Sequence, residues 1–461
     1  MTGKMKISLF GLGKLGAPLA ACFAAKGFRV IGVDPDTQKL RAIQERRAPV
    51  YEPGLQEMLD KYGDGITVTQ DGLEAVRQTD VTFVVVPTPS ESNGGFSLQF
   101  VVQACGQIKQ AMQAKGSYHL VVITSTVMPG AMDNVIQPCL QGGTMHAGKD
   151  FGLCYGPEFI ALGSAIHDFL NPDLLLIGES DARAGQLLAS IYQQICDNEP
   201  AVAHMSFVNA ELVKLAVNTY VTTKISFANM LARICEKQPG ADVDVVTAAL
   251  GLDKRIGGKY IKGAISYGGP CFPRDNLALT ALARQIGAPA DIAAATDQFN
   301  RGQIQWLAQI TCQHTPPGGL VGVLGLTYKP YTDVVEESPG LLLVRELMQQ
   351  GVSVLAYDPA VNMNSGQVQG EMMQLAATLN ECIDKADVIV LATPWHGFGE
   401  LSSEAYARPG RPRVVIDCWR VLGKLKGRAD VVYVPLGIGL PAITDQPLPL
   451  VDYRLPVAQK E

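Results

Sequence analysis

The sequence predicts an α/β protein in which two doubly wound domains are joined by a helical central domain built on one long helix. Three observations lead there. Residues 6–10 form a short apolar strand that runs into Gly11-Leu12-Gly13-Lys14-Leu15-Gly16 and then into a helical pattern over 17–26, so strand, G-x-G-x-x-G and helix follow in the order a dinucleotide-binding unit requires. Residues 205–237 contain neither proline nor glycine, and apolar residues occupy most of a helical circumference. Beyond Thr315-Pro316-Pro317-Gly318-Gly319 the plan of strand, loop, helix and strand returns, its second strand ending in Asp358-Pro359 as the first unit's ends in Asp34-Pro35. Both outer domains are therefore expected to be Rossmann-like.

Composition bounds the function. A chain of 461 residues is too long for one core, and its breaks suggest domains at 1–204, 205–305 and 306–461. With 47% hydrophobic and 18% charged residues a large interior can form, and a net charge of −6 provides no electrostatic footprint for nucleic acid or an anionic membrane. The ten cysteines show neither C-x-x-C pairs nor a matching histidine cluster, so no metal site or disulfide framework is expected, and free thiols suit a cytoplasmic location. The first residues show no signal-peptide pattern, and no apolar run is long enough to span a bilayer.

In the first unit, Gly11 makes the tight turn, Gly13 lets backbone approach a pyrophosphate, and Gly16 lets helix pack on strand. A strand over 28–33 delivers Asp34, whose carboxylate accepts from both ribose hydroxyls and repels a 2′-phosphate, so NAD is expected rather than NADP. Strands over 82–86 and 119–124 end in Pro87-Thr88-Pro89 and Ser125-Thr126-Val127. These hydroxyls either cap helices or face a ligand at the carboxyl edge of the sheet. A strand near 153–155 leads to Gly156-Pro157-Glu158-Phe159, where Glu158 is either a general base or an exposed turn carboxylate.

On the long helix Glu211, Lys214 and Asn218 share one face. A lysine on an otherwise buried helix is costly unless it meets an anion, which makes Lys214 and Asn218 candidate donors to an oxyanion. The stretch Gly268-Gly269-Pro270-Cys271-Phe272-Pro273-Arg274-Asp275-Asn276 places a thiol and a carboxylate in a turn restricted by two prolines, which presents Cys271 rather than burying it. In the third region strands are expected over 321–325, 353–357, 388–392 and 414–417, with a helix over 338–349 and without the phosphate-binding glycines. There Lys329 follows a strand, where a nucleotide phosphate can be met. Residues 441–461 read as a poorly ordered tail.

Pro157-Glu158-Phe159, Glu211-Leu212-Val213-Lys214-Leu215-Ala216-Val217-Asn218, the segment 268–275 and Gly325-Leu326-Thr327-Tyr328-Lys329-Pro330 together resemble the UDP-glucose/GDP-mannose dehydrogenase family over nearly the whole chain. The segment 255–262 looks most like members that act on UDP-glucose. The resemblance implies a four-electron oxidation of UDP-glucose to UDP-glucuronate with two NAD in turn. Cys271 would trap the aldehyde as a thiohemiacetal that becomes a thioester. Lys214 and Asn218 would hold the oxyanion, with Asp275, Glu158 and Thr126 handling water. It further implies that Leu15, Thr88, Pro89, Thr126 and Arg274 join the glycines and Asp34 around NAD. Phe159, Ile160, Lys214, Asn218, Tyr267, Gly268, Lys262, Lys329 and Arg420 would line the nucleotide-sugar site, and Arg255 would reach into the other subunit of a homodimer. Leu162 and Glu337 stand where the family carries charged residues near the cofactor, and Arg420 comes one place late. Another sugar nucleotide, or an impaired binding relative, is the alternative.

Overall fold

The first sheet has eight strands: β1 (Lys6–Phe10), β2 (Arg29–Val33), β3 (Ile66–Thr69), β4 (Val81–Val84), β5 (Leu120–Ile123), β6 (Gly152–Tyr155), β7 (Leu174–Glu179) and β8 (Ala201–Met205). They lie in the order β3-β2-β1-β4-β5-β6-β7-β8, parallel except where β7 meets β6. This computed structural model describes residues 4–143, 145–361, 368, 373–408 and 410–439; the tail expected at 441–461 lies outside them. Central strands such as β4 and β5 are buried at every residue because helices cover both faces, and so they read as unbroken apolar runs. The outer strands β3 and β8 are half exposed and mix polar with apolar residues, and the sequence does not announce them. The chain leaves β1 for β2 on one side and returns to β4 on the other, which opens a crevice at their carboxyl ends.

At that crevice the glycines are required by backbone, not by habit. A Cβ on Gly11, at φ 96°, would lie 2.5 Å from Val85 O, and one on Gly16 would lie 1.9 Å from Gly11 O. Nothing stands within 4 Å of a Cβ on Gly13, so that side of the turn is open for a ligand.

The second sheet comprises β9 (Leu320–Leu324), β10 (Ser353–Tyr357), β11 (Gln374–Leu375), β12 (Val388–Leu391), β13 (Arg413–Asp417) and β14 (Val431–Pro435), in the order β11-β10-β9-β12-β13-β14. It repeats the first turn more closely than expected. Gly325, at φ 100°, donates to Tyr357 O at 2.8 Å as Gly11 donates to Val33 O at 2.8 Å, and a Cβ on Gly340 would lie 2.0 Å from Gly325 O. Two of the three glycine roles are therefore kept. The repeat escapes a motif reading because residues 326–339 separate the pair, against 12–15 in the first turn.

Between the sheets lie the long helix Phe207–Lys237, the helix Val243–Leu252, the cysteine helix Phe272–Gln285 and the helix Asp291–His314. The last of these runs through the boundary expected at 305/306. The long helix buries Ala210, Glu211, Lys214, Leu215, Asn218 and Thr222 on its inner face. Its other face leaves Val208, Leu212, Tyr220, Phe227 and Ile234 exposed, so the burial expected all round it is met on one side only within a single chain. Among the described residues no helix is long and apolar enough to cross a membrane.

One core feature reaches the site. Phe23, Phe28, Phe83, Phe169 and Tyr192 stack edge to face beneath the first sheet, with Tyr192 6.4 Å from both Phe83 and Phe169. Each buried ring contributes on the order of 2 kcal/mol. That packing fixes the direction in which the Tyr192 hydroxyl points.

Candidate active site

Cys271 is the N-cap residue of the cysteine helix, with Pro273 in the first turn, where a missing N–H costs nothing. All ten cysteines are unpaired, and Cys271 alone among them is exposed, as the flanking prolines predict. The structure supplies its own reason for the glycines before it. A Cβ on Gly268 would lie 2.1 Å from Glu337 O, and one on Gly269, at φ 87°, would lie 2.7 Å from the Tyr328 ring. Gly269 N also donates to Glu336 O at 3.0 Å. The close approach visible at this turn is that of the third domain.

Near the thiol the predicted groups form two sets of contacts, one around Lys214 and one around Asp275. Lys214 Nζ donates to Glu158 O at 2.7 Å and sits 4.8 Å from the Phe159 ring. Asn218 Nδ2 donates to Asp275 Oδ2 at 2.6 Å, and Arg274 Nε donates to Asp275 Oδ1 at 3.2 Å. Arg274 also donates to Thr88 O at 3.2 Å and covers the Phe96 ring, while Thr88 Oγ1 donates to Thr126 O at 2.8 Å. The strand-end hydroxyls thus stitch two loops together, and neither Thr88 nor Ser125 caps a helix: Ser125 Oγ donates to Val86 O at 2.6 Å.

The electrostatics are not those of a ready thiolate. Burial and the Asp275 carboxylate push the Cys271 thiol above its ordinary value, and the pull of Lys214 and Arg274 does not reverse this. The cations alone would depress the thiol, but burial first, and then the carboxylate that comes with them, outweigh that pull in the free protein. Cys271 keeps an exposed edge even though protein atoms crowd its other sides. Burial raises Glu158 to about 7, partly offset by a 2.9 Å hydrogen bond from Tyr192 and by the Lys214 charge.

The remaining residues divide. Ile160 packs on the first core and Tyr267 is buried, its backbone paired both ways with Asn300 at 2.9 and 3.0 Å. Lys329 faces the Glu52 and Asp168 carboxylates, yet burial leaves its pKa lowered. Lys262 is exposed. The Arg255 side chain is 89% exposed and paired to Asp253 at 2.6 Å, away from both sets of contacts. Arg420 is held at φ 58°, with two nitrogens on Asp244 at 2.7 and 2.8 Å and others on Gly263 O and Leu436 O. In the free chain its guanidinium clasps the third domain to the central one. Glu337 is exposed and Leu162 half-buried.

Sequence reasoning missed two groups and the role of a third. Tyr192 looks like any core aromatic on an amphipathic helix. Glu52 accepts from Gly163 N at 2.8 Å and Ala165 N at 2.7 Å, fixing the loop that follows Glu158. Glu211 was noticed for its helix face, yet it serves the backbone of Gly130 and Met132 at 2.6 and 2.8 Å. Neither carboxylate could be paired with its partners from local spacing.

Sequence models of the three parts of one family match this chain: the NAD binding domain over 5–196, the central domain over 208–302 and the UDP binding domain over 322–424. The chain belongs to the UDP-glucose/GDP-mannose dehydrogenase family. It is 34% identical to the UDP-glucose 6-dehydrogenase of Haloferax volcanii over 92% of this chain and 98% of that one. It is 32% identical to the GDP-mannose 6-dehydrogenase of Pseudomonas putida over 87% and 94%. The solved UDP-glucose dehydrogenase of Pyrobaculum islandicum superposes with a TM-score of 0.85 at 32% identity, covering 95% and 99%. It is thus an NAD-dependent nucleotide-sugar dehydrogenase of two parallel-sheet domains and a helical centre.

The first turn fits that cofactor. Gly13 leaves the open side described above, and the helix Gly16–Ala25 offers its N-terminal N–H groups. Asp34 follows β2 with Oδ2 on Leu12 N at 2.7 Å and 3.5 Å from Lys39 Nζ, while Oδ1 accepts from Asp36 N at 2.9 Å and retains a lone pair for a ribose hydroxyl. Leu15 leads into the helix, and Pro89 is exposed beside the buried Thr88.

Proposed function

We propose that this enzyme oxidises the primary alcohol of UDP-glucose to the carboxylate of UDP-glucuronate in two NAD-dependent steps, through a covalent adduct on Cys271. The observation that carries the reading is the single exposed thiol at a helix N-terminus, within electrostatic reach of Lys214, Arg274 and Asp275, with Asn218 bonded to Asp275 and the Glu158 backbone bonded to Lys214. NAD, when bound, supplies the hydride acceptor for both oxidations. The protein's own residues do the rest. The sulfur adds to the aldehyde carbon, losing its proton, while the carbonyl electron pair moves to oxygen beside the N–H donors of Lys214 and Asn218. After the second oxidation the adduct is a thioester. Water then adds with loss of a proton to Glu158, the C–S bond breaks, and the sulfur regains a proton. Alcohol, water and two NAD thus give carboxylate, two NADH and three protons.

Three features support a homodimer through the central domain: the exposed apolar stripe of the long helix, exposed Val245 and Leu252 on the next helix, and the outward reach of Arg255. Lys329 and Lys262 are read as cations for the nucleotide phosphates. The test is to incubate protein, NAD and a panel of nucleotide sugars and to count NADH per sugar. Two NADH per UDP-glucose is expected. Two per GDP-mannose with none from UDP-glucose would keep the chemistry and replace the substrate; binding without turnover of any sugar would overturn the reading. Cys271→Ser is expected to bind UDP-glucose normally and to lower acid formation at least about 1000-fold.

A further inference from the structure

The first glycine-rich turn carries a cation, Lys14, and in the folded chain that cation does not stay within its own domain. Lys14 Nζ lies 2.5 Å from Asp333 Oδ1, in the loop that separates the repeated glycines of the third domain. The same loop makes two further reaches. Its Tyr331 carbonyl would stand 2.4 Å from a Cβ on Gly163, in the segment that Glu52 fixes after Glu158. Its Tyr328 ring and Glu336 and Glu337 carbonyls rest on the two glycines before Cys271. Tyr331 and Glu337 are held at φ 64° and 50°, conformations that non-glycine residues keep only when their surroundings impose them. Lys329 sits in the loop between these contacts.

We propose that the Lys14–Asp333 pair is a latch through which occupation of the nucleotide domain tightens NAD binding, by holding the 326–338 loop against the first glycine-rich turn. A nucleotide diphosphate on Lys329 favours one arrangement of a loop whose far side grips the cofactor turn. The two ligands therefore favour the same closed state, and by linkage each strengthens the other. This rests on the reading of Lys329 as a phosphate cation. Lys14 and Asp333 act here as positioning residues, through the turn and the loop that they join.

The test titrates NAD into the enzyme with and without saturating UDP, following heat or protein fluorescence. Wild type is expected to bind NAD about three- to tenfold more tightly with UDP present, a coupling in the usual range. Asp333→Asn and Lys14→Met are each expected to cut that factor below about twofold. The double variant should lose no more than either single one, because the two groups form one interaction. Exchanging the charges, Lys14→Asp with Asp333→Lys, should restore the coupling and guards against a variant that merely folds badly. If UDP tightens NAD binding equally in Asp333→Asn, or if Lys14→Met weakens NAD by the same factor with and without UDP, the latch is wrong and Lys14 is a simple phosphate contact. UDP titrated alone should bind wild type and, no more tightly, Asp333→Asn. Its failure to bind wild type would overturn the nucleotide-sugar reading together with the latch, whereas unchanged coupling in the variant overturns the latch alone.

Discussion

Tyr192 and Glu158 show how one core ring sets an acid-base group. The tyrosine is held by aromatic packing and aims its hydroxyl at a carboxyl that burial has raised to about 7. Since Glu158 ordinarily titrates near 4.5, its protonated form is favoured by the fold. That contribution to stability is complete below about pH 4.5 and is lost as pH rises through about 7. If Glu158 is the base proposed above, activity runs the opposite way, because only the ionised form can take the proton of water. Tyr192→Phe removes the hydrogen bond that favours the carboxylate, so the acidic limb of the kcat profile should move up by about one pH unit with the plateau rate little changed. An unmoved limb would mean that Glu158 is not the base. At this scale the identities of Cys271, Lys214, Asn218 and Asp275 were legible because each lies in a short, ordered stretch of sequence. The raised thiol was not legible, because it depends first on how far folding buries the sulfur and then on how near Asp275 stands to it relative to the two cations.

The elements that the sequence made legible are those whose environment is uniform: central strands buried on both faces, and a helix unbroken by glycine or proline. The edge strands β3, β8, β11 and β14 were missed because they are short or partly exposed, whereas β7 was missed although its run Leu174-Leu175-Leu176-Ile177 is as apolar as the central strands. The cysteine turn was legible as a turn, while the reason for its glycines was hidden in another domain. Gly269→Ala tests that reason. At φ 87° the new methyl is strained by itself, and it also meets the Tyr328 ring at 2.7 Å, so a loss of about 2 kcal/mol is expected. Gly143→Ala, at φ 78° with open space around it, should cost only the backbone part, about 1 kcal/mol. Urea unfolding of the two variants measures the difference. Equal losses would show that the contact between turn and loop is soft.

At the scale of the whole molecule, the two sheets repeat one plan and differ in what their acidic residues do. Asp34 keeps room for a ribose, whereas Asp358 spends its carboxylate on Leu326 N at 2.8 Å, Thr327 N and Oγ1 at 2.9 Å and Trp395 Nε1 at 3.1 Å. One half is therefore built to take a dinucleotide, and in the other the same position braces the loop that reaches across to it. The site drawn in one chain still lacks Arg255, which points outward beside the apolar stripe and is held by an exposed ion pair worth little. If a second copy covers that stripe, each site borrows the arginine of its neighbour. Cys271→Ser and Arg255→Ala should then each be nearly inactive alone, yet regain activity when mixed and allowed to exchange subunits. A mixed dimer holds one site with both an intact thiol and an intact arginine, so random exchange should restore about one quarter of the wild-type rate. Tyr220→Glu with Phe227→Glu should abolish the restoration and halve the mass measured by light scattering. Mixing that restores nothing, in a sample shown to exchange, would place Arg255 outside the partner's site and leave the apolar stripe to serve assembly alone.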